Sequence, residues 1–361
     1  MFYHFLYPLK EIFFGFNVFK YITFRALGAV ITSFLLVLIL SPFIIKRLKD
    51  LKIGQYIQKD SSPLYDLHRF KEGTPTMGGV IILLVVLIST LFWADLTNRY
   101  ILLVISCVIY LGILGFLDDL IKIRRKNPKG LKISQKFLGQ ILLGLIVGVI
   151  LYFDKEFSLT LDLPFFKKLV LNLGIFYIFF CAIVITGASN AVNLTDGLDG
   201  LAVGCVIMVF LAYGILSYLT GNIKFSQYLF IPYIRGVGEL AVFCASVFGA
   251  GLGFLWYNSY PAQVFMGDVG SLPLGGALGC VAVFIKKEIL LVIVGGIFVL
   301  EAISVILQVV FFKLKGKRIF KIAPLHYHFQ FLGWSESKII VRFWIIAVIL
   351  ALMSLTTLKL R

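Results

Sequence analysis

Asp118 and Asp119 stand side by side at the end of an apolar stretch, Gly115-Phe116-Leu117-Asp118-Asp119, and a basic segment opens just after them at Lys122. Adjacent carboxylates repel one another unless a cation lies nearby. A polar helix end accounts for a lone Asp-Asp pair more often than function does, so despite the cost of acids at membrane depth the pair alone is a weak signal. A second cluster, Ser189-Asn190-Ala191-Val192-Asn193-Leu194-Thr195-Asp196-Gly197-Leu198-Asp199-Gly200, sets two Asn, two Asp and two Gly in apolar surroundings. Such residues favour turns for local reasons. A segment this long between two apolar runs exceeds what a turn needs, and its glycines allow tight backbone beside a ligand.

A third cluster runs from Asn258 to Ser271, where Asp268 is the one carboxylate among small residues that let phosphate oxygens and a metal approach. A hard divalent cation suits such an oxygen-only set. The fourth, Ala323-Pro324-Leu325-His326-Tyr327-His328-Phe329, holds two of the chain's four histidines. His-x-His alternation would suit a metal if the segment were a strand. Two His with no Cys partner fall short of a four-ligand zinc shell, so phosphate contact or proton handling is the better reading. Together the clusters hold the parts needed to move a phosphoryl group while Mg²⁺ neutralises its charge. No G-x-x-x-x-G-K-[ST] loop is present, so ATP hydrolysis has no support.

The elements that must carry these residues are membrane spans. Of the 361 residues 60% are hydrophobic and 14% charged, and mean hydropathy is +0.98, more apolar surface than a water-soluble fold needs. Apolar stretches long enough to cross about 30 Å of hydrocarbon recur throughout. They lie at 26–45, 77–94, 100–117, 137–153, 169–187, 200–219, 240–257, 272–285, 289–312 and 340–358, the eighth being short and Gly-rich. The expectation is an all-α polytopic integral membrane protein of about ten transmembrane helices, one membrane-embedded domain over 1–361 with its bundle at 26–358. Residues 1–22 are aromatic-rich and interrupted by Pro8, Lys10 and Glu11. No small-residue cleavage site follows an apolar core there, which predicts an interfacial helix, not a signal peptide. The five cysteines fall inside predicted spans without C-x-x-C spacing, as small buried hydrophobes do.

The net charge of +16 reports topology before nucleic acid, and no nucleic-acid partner is expected. Loops one, three and nine hold about twenty Lys and Arg, among them Lys46, Arg69, Lys71, Lys122, Lys126, Lys313 and Lys321, against about eight in all even loops together. Odd loops are therefore expected in the cytoplasm and both termini outside. That puts all four clusters on one membrane face. Glu301 and Gln308, seven residues apart, share a face of the ninth span. An intramembrane acid is functional by default, yet polar residues also join helices in bundles, and the sequence leaves both readings open for Glu301.

The strings Thr74-Pro75-Thr76-Met77-Gly78-Gly79, Asp118-Asp119, Asn190 to Gly200, Phe265 to Ser271 and Pro324 to Phe329 resemble the polyprenyl-phosphate N-acetylhexosamine-1-phosphate transferases, in order and through essentially the whole chain. Within that superfamily they look like the phospho-N-acetylmuramoyl-pentapeptide-transferase family. The resemblance implies transfer of phospho-MurNAc-pentapeptide from UDP-MurNAc-pentapeptide to undecaprenyl phosphate, giving lipid I and UMP, the first membrane step of peptidoglycan synthesis. It implies a bacterial cytoplasmic (inner) membrane location among membrane lipid, an active site on the cytoplasmic face, Mg²⁺ as cofactor and a homodimer. Carried over by motif, Asp268 would hold the metal, and Asp118 and Asp119 would handle the lipid phosphate. Lys71, Asp196, Asp199, Asn258 and Phe265 would line the nucleotide site, with Thr76, Asn190, Asn193 and His328 as further substrate contacts and His326 on a substrate phosphate. Phe265 suits stacking on uracil, since an aromatic ring gives base-tolerant contact, though membrane aromatics also gather at interfaces. Tyr327 departs from the family's usual His-His-His.

Two other functions fit less well. A sister transferase acting on UDP-GlcNAc would share the Asp clusters and differ in the loop that reads the sugar. A secondary transporter should show internal symmetry and acids near the bilayer midplane. No Asp motif repeats between the halves here, and the acids gather at span ends.

Overall fold

A computed structural model of the protein describes residues 1–51, 53–54, 71–125, 130–163 and 170–359. Arg69 and Lys126, counted above among the basic loop residues, lie outside the described residues. Ten helices form the frame: α1 (Ile22–Asp50), α2 (Gly79–Trp93), α3 (Arg99–Arg125), α4 (Ile133–Phe153), α5 (Phe176–Thr195), α6 (Leu201–Thr220), α7 (Leu240–Asn258), α8 (Asp268–Phe284), α9 (Gly296–Lys315) and α10 (Glu336–Thr356). Each overlaps one of the ten predicted spans. In hydrocarbon every backbone polar group must be satisfied within the segment, which makes an apolar run of this length a helix. Eight are long and apolar enough to cross a membrane, while α2 and α8 are shorter.

Helix α8 is the centre of the bundle. Its residues from Val269 to Phe284 are all buried, so it is surrounded by protein, which explains how a short, Gly-rich segment is accommodated. It packs against α3 on one side and α5 on the other, while α7 joins α1, α2 and α6. Small residues set these approaches, as between membrane helices generally. A Cβ on Gly115 would lie 2.3 Å from the Asp268 carbonyl oxygen, so Gly115 lets α3 bring Asp118 and Asp119 onto the first turn of α8.

Three local features differ from the sequence reading. Residues 2–20 form no single interfacial helix but a short α-helix, Phe2–Leu6, followed by 3₁₀ segments at Tyr7–Glu11 and Phe14–Lys20. Pro8 has no N–H to continue an α ladder, and the rings of Phe2 and Phe19 instead gather on Trp93 at the end of α2. A two-stranded antiparallel hairpin, β1 (Thr160–Asp162) with β2 (Val170–Asn172), occupies the loop between α4 and α5; its strands are too short to register as alternation in the sequence. The His-x-His segment is a helix, Leu325–Phe331, which turns His326 and His328 to different sides and removes the strand geometry a paired metal site would need.

The end of the bundle remote from the Asp clusters is held by buried ion pairs. Arg25 meets Glu239 through two hydrogen bonds of 2.7 and 2.5 Å, and Lys287 lies 3.5 Å from Asp162 of β1. All five cysteines are buried and free.

Candidate active site

Chain alternation brings the C-terminal ends of α3, α5 and α7 to the same end of the bundle as the N-terminal ends of α4, α6, α8 and α10. Among the described residues, the ends of the odd loops gather there, and so do the Asp clusters. Asp118, Asp119 and Asp268 each offer an oxygen within 4.8 Å of the others, a group that could hold a metal ion. Gly267, with φ +73°, precedes α8 and presents Asp268 on its first turn. The N-terminal end of the α8 dipole favours negative charge, and the Val269 amide donates to Asp119 Oδ2 at 3.1 Å.

Two lysines balance these acids. Lys122 Nζ lies 2.6 Å from Asp118 Oδ2, 3.2 Å from Asp119 Oδ1 and 2.8 Å from Asp268 Oδ2. Lys136, at the start of α4, adds a contact of 2.6 Å to Asp268 Oδ2. Asn193 donates to the other Asp268 oxygen at 2.6 Å and to Ser271 Oγ at 2.8 Å. The Leu131 amide donates to Asp118 Oδ1 at 2.7 Å. Three carboxylates and two ammonium groups leave a formal charge of minus one among these five groups.

One turn below Asn193, Asn190 belongs to a buried network. It donates to Gln140 Oε1 at 2.7 Å, Gln140 donates to Ser189 Oγ at 3.0 Å, and Ser189 donates to the Leu272 carbonyl at 2.9 Å. Satisfied polar chains of this kind rigidify what they join, here α4, α5 and α8 directly beneath the carboxylates.

The loop between α5 and α6 forms the neighbouring wall. Asp196 caps α5; burial, with Asp268 and Asp119 close by, pushes its carboxyl up to about 8. Asp199 is tied on three sides: Lys71 Nζ at 2.5 Å, the Ala262 amide at 2.9 Å, and its own amide donating to Glu336 Oε1 at 3.0 Å. Lys71 also reaches Glu336 at 2.5 Å and lies 6.0 Å from the Phe265 ring centre. Trp344 of α10 donates to the Gly200 carbonyl at 3.3 Å, and the Tyr327 hydroxyl donates to the Gly197 carbonyl at 3.2 Å. Phe265 is half-buried, its amide donating to Pro75 and its carbonyl accepting from Gly78, which fixes the α7–α8 loop against the Thr74–Gly79 string. Thr76 sits beside that contact, with its hydroxyl 3.2 Å from where a Cβ on Gly267 would lie. Asn258 donates to the Val264 carbonyl at 2.8 Å and braces the same loop from inside.

The residues singled out by sequence therefore fall into groups. Asp118, Asp119, Asp268 and Asn193 meet around the ammonium groups, while Lys71, Asp199 and Phe265 meet beside the α5–α6 loop. Asn190 and Asn258 act beneath. His326 has no exposed surface, and His328 points away, its Nδ1 accepting from the Lys321 amide at 3.1 Å. Sequence reasoning missed Lys136, Gln140 and Glu336, gave Ser271 only as the end of a motif, and named Lys122 only as a loop charge. Lys122 had a signal: spacings of three and four from Asp119 and Asp118 put all three on one helix face.

Gly267 leaves no room for a side chain. Its φ of +73° disfavours any side chain, and a Cβ there would stand 2.6 Å from Asp119 Oδ2. Gly267→Ala is expected to shift Asp119 or Asp268 by enough to lower kcat by roughly 10²-fold, with the protein still folded on size-exclusion; unchanged turnover in a steady-state assay would refute the tight fit.

Comparison with known proteins agrees with this construction. A family model described as Glycosyl transferase family 4 matches residues 101–286, and with the fold it defines the class, a polytopic membrane phospho-sugar transferase. A second model, described as Phospho-N-acetylmuramoyl-pentapeptide-transferase signature 1, matches residues 71–83. Curated proteins of that name are similar over the whole of both chains: 56% identical in Citrifermentans bemidjiense, 55% in Geobacter sp. strain M21 and 54% in Thermodesulfovibrio yellowstonii. The chain belongs to the phospho-N-acetylmuramoyl-pentapeptide-transferase family.

Proposed function

We propose that the protein transfers phospho-MurNAc-pentapeptide from UDP-MurNAc-pentapeptide to undecaprenyl phosphate, giving lipid I and UMP, at the cytoplasmic face of the bacterial inner membrane. The observation that carries this reading is the meeting of Asp118 and Asp119 with Asp268, far apart in sequence, at the end of the bundle where the basic loops open. The family relationship supports the donor and the acceptor. The excess of Lys and Arg in the odd loops supports the cytoplasmic side, and the family resemblance supports a homodimer.

The carboxylates fit Mg²⁺ chemically: they are hard oxygen donors, and the ammonium of Lys122 already stands among all three as compensating charge. Asp268 would hold the ion, with Asp118 and Asp119 beside it. Bound there, Mg²⁺ supplies charge neutralisation on the donor pyrophosphate. The rest falls to the chain. Lys122 and Lys136 offset phosphate charge. Asn193 fixes the Asp268 carboxylate, and Asp118 and Asp119 handle the lipid phosphate. Lys71, Asp196, Asp199 and Asn258 shape the nucleotide side with Phe265 as stacking surface and Thr76 beside it, while Asn190 braces the helices beneath the carboxylates.

A phosphate monoester has its second pKa near 6, so the acceptor is a competent nucleophile at neutral pH with little help from a base. Alignment and charge compensation then dominate, and direct in-line attack on the β-phosphorus is the preferred route over an Asp-phosphoryl intermediate. Donor choice tests the reaction: turnover with UDP-MurNAc-pentapeptide is expected, whereas turnover with UDP-GlcNAc alone would assign the chain to the sister activity. Label exchange tests the route. UMP should not exchange into the UDP donor without the lipid; exchange in its absence would establish the covalent path.

A further inference from the structure

Glu301 is an acid with no exposed surface on a membrane-spanning helix, and an isolated acid there is expensive. Its neighbour on the same face, Gln308, has an evident structural use: it bonds the backbone of Ile319 and Phe320 and so ties down the segment that follows α9. Glu301 does something different. It engages one residue, His326, twice. Glu301 Oε1 accepts the His326 amide at 3.2 Å, and Oε2 stands 3.2 Å from the ring Nδ1, at ion-pair distance without straight hydrogen-bond alignment.

The far side of that ring faces the α5–α6 loop. A Cβ added to Gly197 would meet His326 Nε2 at 2.2 Å and the Tyr327 hydroxyl at 2.7 Å. The imidazole thus lies flush on the backbone between Asp196 and Asp199, beside the Tyr327 hydroxyl that bonds Gly197. Its ring packs edge-on to Tyr327 at 4.1 Å between centres. Both His326 and Glu301 are completely buried, so neither presents a surface to substrate, and whatever they contribute passes through the loop they support.

We propose that Glu301 is a positioning residue for the donor site: it holds the His326 ring against Gly197, and that ring sets the spacing of Asp196 and Asp199. The inference rests on the reading that this loop lines the nucleotide side of the site. Gly197 is part of the device, since no larger residue leaves room for the ring, and Tyr327 adds the polar tie from the same short helix.

A double-mutant cycle on the full-length enzyme in detergent tests it. Glu301→Gln keeps the shape and one acceptor but loses the charge facing Nδ1, and is expected to raise KM for the UDP donor by about tenfold, with kcat changed far less. His326→Gln is expected to produce a rise of similar size, and the double variant should be no worse than the worse single one. Glu301→Asp, which keeps the charge on a shorter arm, is expected to fall between wild type and Glu301→Gln, and decides the matter if the Gln variant does not accumulate. Penalties that multiply in the double variant, or a lowered melting temperature with unchanged KM, would overturn the proposal by reducing Glu301 to helix glue. Asp199→Asn separates the two levels. If it raises KM while the Glu301 variants do not, positioning alone fails; if it too leaves KM unchanged, the donor-site reading of the loop fails with it.

Discussion

Asp268→Asn is expected to lower kcat by on the order of 10²–10³-fold while the protein remains folded. The change is small in volume and leaves an oxygen for Asn193. On the other side it turns an amide toward Lys122 and Lys136, both of which now donate to Asp268 Oδ2 at 2.8 and 2.6 Å. Two ammonium groups lose their shared acceptor, and the cluster's net charge rises from minus one to zero, which removes the attraction for a divalent cation. Steady-state turnover reports the first effect. Mn²⁺ binding followed by electron paramagnetic resonance reports the second, and a variant that binds the ion as wild type does would move the metal away from Asp268.

Lys71→Met has the largest expected effect on stability. Lys71 lies between Asp199 and Glu336, 2.5 Å from each, and all three side chains are buried. Removing one partner of a buried ion cluster leaves the others uncompensated, at a cost of about 3–5 kcal/mol. Among the described residues no other cation stands at ion-pair distance from the two carboxylates. The single variant should therefore melt well below wild type, and Lys71→Met combined with Glu336→Gln should recover part of the loss. Equal melting of Lys71→Met and wild type would mean that the cluster is solvated. Donor binding should fall in both variants, since Asp199 and the Phe265 face are held by the same lysine.

The helices were legible in the sequence because lipid imposes a simple rule: long apolar runs must satisfy their backbone internally and so become helices. Ten runs became ten helices, and the run that departs from full span length, 272–285, became the wholly buried α8. The carboxylates were legible for a related reason: acids are costly beside apolar spans, and although the Asp118-Asp119 pair alone was a weak signal, it recurs with Asp196, Asp199 and Asp268 at span ends on one face. What could not be read were partners supplied from distant elements. Lys136 opens α4 and Glu336 opens α10; each looks like an ordinary charge at a helix end, and only tertiary packing carries one to Asp268 and the other to Asp199. Gln140 likewise has meaning only through Asn190 and Ser189. The His-x-His segment was ambiguous because alternation of two residues carries no period, and a helix after Pro324 separates the two rings. Glu301 was singled out for its depth alone; its partner, twenty-five positions away, became visible when the loop after α9 folded back.

The most direct measurement of the account is formation of lipid-linked product from UDP-MurNAc-pentapeptide and undecaprenyl phosphate by the purified protein, first with Mg²⁺, then with EDTA, then with Mg²⁺ restored. Product is expected to disappear on chelation and return with the ion, in wild type and not in Asp268→Asn. Product formed at full rate in EDTA, or undiminished in Asp268→Asn, would contradict a metal-assisted transfer at the three carboxylates.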